Sequence, residues 1–301
     1  MNIDEVRLNF NKDSILLINL LIGFIMYSVS LDLRWKDFVN LFRNPKPALI
    51  GLISQYLLLP LTTSLIILIW KPHPSLALGM ILVAACPGGN MSNFFTLLAK
   101  GNLALSVSLT AITSTLAFVM TPISFLFFGS INPITKDFLK EIALNPSDLF
   151  TSVAMLLLLP LALGLCSSHY FPNLIQRVKS WLQRISLLFL AFFIVGALLA
   201  NFRYFIDYIL ILFGLVFFMN AAGLFVGYYW SSLFSLPVKD RRTISIETGI
   251  QNSSLGLALV FLFFDGQGGM ALISAWWGIW HLISGATISY IWSKKSAEAN
   301  S

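Results

Sequence analysis

From Ser14 to Trp292 the chain is a succession of apolar tracts, each close to the ~20 residues that a helix needs to cross a bilayer, parted by short polar turns. In hydrocarbon every backbone N–H and C=O must be satisfied inside its own segment, so tracts of this kind have one sound solution: helices packed on helices. The composition agrees, with 57% hydrophobic and 11% charged residues, far from the mix of a soluble domain. The pattern predicts an all-α polytopic membrane protein forming a single transmembrane domain over 1–301. Nine spans are expected. They fall at about 14–31, 47–70, 76–99, 103–128, 146–165, 185–200, 206–230, 243–264 and 270–292. A basic connection carrying Arg177, Lys179 and Arg184 precedes the sixth and is expected to lie on the membrane surface. The N-terminal MNIDEVRLNFNKD has mixed charge and no basic stretch before a short apolar run, so a cleaved signal peptide is not expected.

Charge sets the orientation. With the loop holding Arg34, Lys36, Arg43 and Lys46 placed in the cytoplasm, Lys100, Arg177, Lys179, Arg184, Lys239, Arg241, Arg242, Lys294 and Lys295 fall on the same side. Only Arg7, Lys12, Lys71, Lys136, Lys140 and Arg203 fall on the other. Positive residues collect inside, which predicts an outside N-terminus and a cytoplasmic C-terminus; the membrane expected is a plasma membrane, the inner one in a bacterium. The net charge of +6 is therefore explained by loops facing the cytoplasm, and nucleic acid is not an expected partner. Cys86 and Cys166 fit no disulfide or metal pattern. No HExxH, GxSxG or pair of intramembrane acids is present, so the chain is not expected to be an enzyme.

Two spans are interrupted. The third breaks at Pro87-Gly88-Gly89, within CPGGNMSN, and the eighth around Gly249, within TISIETGIQNSSL. The second of these carries Glu247, the one acid well inside a span. An acid at membrane depth costs about 2.5–3.5 kcal/mol or more and marks an ion or substrate path. A glycine-interrupted helix beside it frees backbone carbonyls that something polar must use. Each broken span follows one with a buried amide, Gln55 in the second and Asn220 in the seventh. The two enter from opposite sides, as an inverted repeat requires, with 14–165 as the first repeat and 185–293 as the second, short of one helix. Carboxylate, amide, hydroxyl and carbonyl oxygens are the donors a hard cation such as Na+ takes. Read singly, Ser106, Thr110 and Ser114 serve equally well as helix–helix glue. Glu247 with Gln251 and Asn252 beside Gly249 asks for a ligand.

CPGGNMSN, IETGIQNSS and VSLTAITST, with Lys100-Gly101-Asn102 before LALSVSLT and Trp280-His281 before Ile283-Ser284-Gly285, together resemble the bile acid:sodium symporter family across nearly the whole chain. The resemblance implies a core and a panel domain, two broken helices crossing at the midplane, and two sodium sites behind the crossing. The first would use Ser92, Asn93, Ser106, Thr110 and Glu247. The second would use Gln55, Glu247 and Gln251, with carbonyls of Thr248 and Ile250. Na+ is then the coupling ion and no other cofactor is implied. Substrate contacts would come from Asn90, Met91, Asn252 and His281. This chain departs from the family pattern at two points near that surface, with Asn90-Met91 where relatives carry Thr-Ala and Leu282 where they carry Asn. The ion machinery matches and the substrate surface differs, so the expected cargo is a small organic anion or bile-acid-like solute taken up with Na+ by alternating access. A second reading is a metalloid or proton-coupled exporter of related fold, with Cys86 at the break as its reactive group. Nothing in the sequence asks for more than a monomer in the bilayer.

Overall fold

The computed structural model describes residues 3–5, 14–31, 45–89, 91–142, 146–200 and 202–298. Among the described residues there is no strand, only isolated bridge residues, and all regular structure is helical. The helices are α1 (Ser14–Ser30), α2 (Pro45–Trp70), α3 (Pro74–Ala85), α4 (Met91–Leu98), α5 (Leu103–Ile131) and α6 (Lys136–Glu141). There follow α7 (Pro146–Tyr170), α8 (Pro172–Ala200), α9 (Phe202–Leu233), α10 (Val238–Gly249), α11 (Ser253–Phe263) and α12 (Gly268–Glu298). Five of them are long and apolar enough to cross a membrane: α2, α5, α7 from Val153, α9 from Phe205, and α12 up to Lys295. The shorter α3 and α11 are also apolar. This is an all-α integral membrane protein.

Local chemistry sets most of the boundaries. Pro74 sits in the first turn of α3, where a missing N–H costs nothing. Asn102 caps α5 by accepting from Leu105 N at 3.2 Å, and Asn252 caps α11 by accepting from Leu255 N at 3.1 Å. In α2 a turn of π-helix covers Ser54–Leu58, with Leu59 N donating to Ser54 O five residues back. Pro60 explains it. Its ring displaces the carbonyl four residues earlier and supplies no N–H to replace the bond. The basic connection expected before residue 185 is instead the first part of α8, unbroken from Pro172 to Ala200. No proline or glycine interrupts the chain between Pro172 and Gly196, and Arg184 lies over the Trp181 ring at 5.7 Å.

Lipid tails are as apolar as leucine, so helices in a bilayer are held by close packing and polar contacts rather than by burial from water. The structure follows this rule. Every residue of α3 from Ser75 to Ala85 is buried, and α3 meets α12 so closely that a Cβ at Gly79 would stand 2.8 Å from Met270 Cα. Around α3 are α2, α5, α6, α11 and α12. A second group holds α1, α7 and α8. Its ties are Ser28 Oγ to Ser186 Oγ at 2.8 Å, Tyr27 OH to Ser167 Oγ at 3.1 Å, and Ser30 Oγ to Pro160 O at 3.1 Å. Met26 carries this group to the break in the second broken pair, where Asn252 Nδ2 lies 4.0 Å from its Sδ.

Candidate functional site: a carboxylate at the crossing of two broken helices

The interruptions between α3 and α4 and between α10 and α11 pass one another antiparallel, bridged at Gly88 and Gln251. Gly89 N donates to Ile250 O at 2.8 Å, and Asn252 N donates to Pro87 O at 2.9 Å. Each break thus satisfies part of the other's unwound backbone. Amides from neighbouring spans satisfy more of it. Gln55 Nε2 donates to Cys86 O at 3.0 Å, and Asn220 Nδ2 donates to Gly249 O at 2.8 Å. Buried backbone polar groups must find partners, and here the partners are brought from sequence-distant helices to the two breaks.

Glu247, on the last turn of α10, is 4% exposed. Its carboxylate accepts from three hydroxyls on two other helices. Ser92 Oγ donates to Oε1 at 2.6 Å, Ser106 Oγ donates to the same oxygen, and Thr110 Oγ1 lies 3.1 Å from both Oε1 and Oε2. Ser92 is in the first turn of α4, while Ser106 and Thr110 lie four apart on one face of α5. Asn93 stands at the rim, with its Oδ1 3.5 Å from Thr110 Oγ1. Burying a carboxylate without compensation is prohibitive, and bonds to a charged acceptor are worth about 1.5–3 kcal/mol each. The hydroxyls supply these bonds while keeping oxygen lone pairs. A cation entering beside the carboxylate finds an all-oxygen shell once the O–H groups turn aside. Among the described residues no three His, Cys, Asp or Glu side chains gather. The donor set is one acid with neutral oxygens, which suits a monovalent hard cation.

Next to it, Gln55 and Gln251 are bonded head to head. Gln55 Nε2 donates to Gln251 Oε1 at 2.6 Å, and Gln251 Nε2 donates back to Gln55 Oε1 at 3.2 Å. The Gln251 amino group also faces Thr248 O at 2.7 Å and Glu247 O at 3.4 Å. A partial positive charge therefore sits among three oxygens, the kind of place a cation takes when the amide turns. Ile250 O is committed to the bridge with Gly89 N. Ser54 Oγ lies 2.8 Å from Thr248 Oγ1, and Tyr56 OH donates to Thr113 O at 2.7 Å. The π turn is what lets three successive residues, Ser54, Gln55 and Tyr56, all be buried and meet three different partners.

The residues expected to touch substrate are more scattered. Asn252 lies at the crossing, but its Oδ1 is occupied as the cap of α11 and by Ser254 Oγ at 2.6 Å, leaving Nδ2 toward Met26. Met91 is partly buried against the cluster of Phe95, Ala99, Ile246 and Ile250, which Leu282 also joins. His281 is 7% exposed on α12, beside that Leu282. Asn90 lies outside the described residues. Three contacts at the site were not foreseen: the backbone bridge, the Tyr56–Thr113 bond and the Ser54–Thr248 pair. The first is between backbones and leaves no side-chain signal. The only hint of the others is Pro60, which forces the π turn.

The family model described as "Sodium Bile acid symporter family" matches residues 19–208. That span includes the first break and ends before Glu247. Curated relatives extend the likeness across both breaks. The chain is 33% identical to the "Uncharacterized sodium-dependent transporter YocS" of Bacillus subtilis, over 92% of this chain and 83% of that one. It is 31% identical to the "Probable sodium/metabolite cotransporter BASS2, chloroplastic" of Oryza sativa subsp. japonica, over 93% of this chain and 64% of that one. It is 32% identical to the "P3 protein" of Homo sapiens, over 74% of this chain and 46% of that one.

Proposed function

The chain belongs to the sodium bile acid symporter family, and from that premise we propose that it is a sodium-coupled secondary transporter that takes up a small organic anion together with Na+ by alternating access. The observation that carries this reading is the convergence of Ser92, Ser106 and Thr110 on the buried carboxylate of Glu247 where the two breaks cross. The Bacillus relative is named a sodium-dependent transporter and the rice relative a probable sodium/metabolite cotransporter, and an oxygen-only donor set around one acid is what Na+ coupling needs. The family is one of transporters, so the chain is a transporter and not an enzyme.

In this reading the first sodium site takes Ser92, Asn93, Ser106, Thr110 and Glu247. The second takes Glu247, Gln55, Gln251 and the Thr248 carbonyl, with Ile250 O reached once it leaves Gly89 N. Charge on Glu247 is shared between the two, so loading one ion conditions the other. The membrane potential supplies about 2.3 kcal/mol per inward positive charge per 100 mV. The substrate carboxylate meets the crossing near Met91, Asn90, Asn252 and His281, where the N-termini of α4 and α11 offer N–H groups and a favourable dipole.

The helices fit nine crossings, with the α3–α4 and α10–α11 pairs each counted once. The repeat pairs α2 with α9, α3–α4 with α10–α11 and α5 with α12. The matched amide contacts, Gln55 to Cys86 O and Asn220 to Gly249 O, support that pairing. The group of α1, α7 and α8 corresponds to the panel and the remainder to the core. The N-terminus lies outside and the C-terminus in the cytoplasm, by the distribution of Lys and Arg. Against the exporter reading stands Cys86, which has no exposed surface.

The test is uptake of labelled small carboxylates, among them pantoate and pyruvate, into proteoliposomes under an inward Na+ gradient. Accumulation that needs Na+ and disappears in Glu247→Ala supports the proposal. Accumulation that K+ sustains equally, or that survives Glu247→Ala, contradicts it.

A further inference from the structure

Asn220 is a fully buried amide, 1% exposed, in the middle of α9. It lies on a stretch of α9 pressed hard against α10. A Cβ at Gly227 would stand 2.7 Å from Ser245 Cα, and one at Gly223 would stand 3.1 Å from Thr248 O. Ser245 Oγ donates to Leu224 O at 2.5 Å. This contact fixes α9 along the last turns of α10 and delivers the Asn220 side chain to the end of that helix. There it meets Gly249 O at 2.8 Å.

Three consecutive carbonyls leave the end of α10, and each is held by a different group. Thr248 O takes Gln251 Nε2 at 2.7 Å, Gly249 O takes Asn220 Nδ2, and Ile250 O takes Gly89 N at 2.8 Å. The outer two belong to the crossing itself. The middle one is held from outside it, by a helix that supplies no expected ion ligand. A peptide next to glycine at a helix end is the one freest to turn. Successive peptide planes are rigid and joined only through φ and ψ, so fixing the plane between residues 249 and 250 also directs the carbonyls on either side.

We propose that Asn220 is a positioning residue for the sodium site: by holding the Gly249 carbonyl it sets the direction in which the Thr248 and Ile250 carbonyls are offered to the ion. The inference rests on the sodium-coupled reading above. Gln55 plays the matching part at the other break through Cys86 O, but Gln55 also faces Gln251 directly. Asn220 acts on the ion only through the backbone.

A purely structural role predicts a different result, since a buried carbonyl left unpaired would lower stability equally in any salt. The experiment is therefore an ion titration on the purified full chain, reading the melting temperature as Na+ or Li+ replaces choline at constant ionic strength. Ligands that bind the native state raise its stability by mass action, so the curve gives a half-saturating concentration without any transported solute. Asn220→Leu is expected to raise the half-saturating Na+ concentration about tenfold, roughly 1.4 kcal/mol, and to narrow the difference between Na+ and Li+. Asn220→Ala, which loses the N–H donor and adds no charge, is the second variant should the first fail to fold, and it is expected to shift the Na+ curve in the same sense. Asn220→Gln retains a donor and is expected to recover part of the affinity. Half-saturating Na+ within twofold of wild type in a folded Leu or Ala variant overturns the proposal, however far its melting temperature in choline has fallen. A wild-type protein that does not respond to Na+ at all overturns the sodium reading, and this inference with it.

Discussion

Gly88→Ala places one methyl group at the point where the two breaks and the carboxylate meet. Built on the present backbone, its Cβ would stand 2.8 Å from Glu247 Oε2 and 3.7 Å from Thr113 Oγ1. Ordinary carbon–oxygen contact begins near 3.4 Å, so the carboxylate or the backbone must yield by about 0.6 Å. The carboxylate has little room to do so, because Ser92, Ser106 and Thr110 hold its other oxygen. The backbone is no freer, because Gly88 is the residue bridged to Gln251. Either way at least one bond to a charged or bridging group is lost, at about 1.5–3 kcal/mol, which corresponds to a roughly 10- to 100-fold rise in the Na+ needed for half-saturation. The assay is Na+-dependent thermal stabilisation of the purified protein, repeated for Na+-driven uptake. Gly23→Ala in α1 is the control, since a Cβ there would have nothing within 4 Å, and its curve is expected to overlay wild type. A Gly88→Ala protein that melts at the wild-type temperature and keeps the wild-type Na+ curve would refute the packing argument around Glu247.

Further outcomes follow from the same geometry. Cys86→Ser is expected to keep Na+-driven uptake within about threefold of wild type, since its thiol is buried and only its carbonyl is used by Gln55; complete loss, measured beside normal expression, would restore the exporter reading. Asn252→Ala is expected to raise the substrate KM more than the Na+ requirement, and also to lower the melting temperature through loss of the α11 cap, at about 1 kcal/mol. The reverse ordering of KM and Na+ effects would move Asn252 into the ion shell. Gly227→Val is expected to drive α9 away from α10 and destabilise the protein in K+ and Na+ alike, because the added side chain meets Ser245 Cα and Ile244 O; normal melting would contradict the close approach.

Much of the site could be read from the chain because its features are costly in lipid. Glu247 is conspicuous as an acid inside an apolar tract, and Pro87-Gly88-Gly89 and Gly249 announce breaks that the structure places at residues 86–89 and 250–252. Ser92, Ser106 and Thr110 were legible only through the family resemblance, since serine and threonine in membrane helices so often bond their own backbone, as Thr115 does to Ala111 O. Other features are products of tertiary contact. The Gly88–Gln251 bridge joins backbones far apart in sequence, and no side chain reports it. Arg242 reads as a charge at the membrane edge, yet it is 8% exposed, donating to Ala99 O at 2.9 Å with its guanidinium over the Trp292 ring. Asp4 lies in the mixed-charge N-terminal stretch, yet its Oδ1 accepts from Ser75 N at the start of α3 and its carbonyl accepts from Gln267 Nε2 before α12. The continuity of α8 was missed because a basic segment followed by an apolar one has the look of a connection and a span, while the backbone has no cause to stop between them.

The central claim is that Glu247 and the hydroxyls around it bind Na+. The direct measurement is the melting temperature of the purified full chain in Na+ against K+ at equal ionic strength, for wild type and Glu247→Ala. The account predicts a rise specific to Na+ in wild type that is absent in the variant. Equal melting in the two salts for wild type, persisting to high concentration, or an undiminished Na+ response in Glu247→Ala, would contradict it.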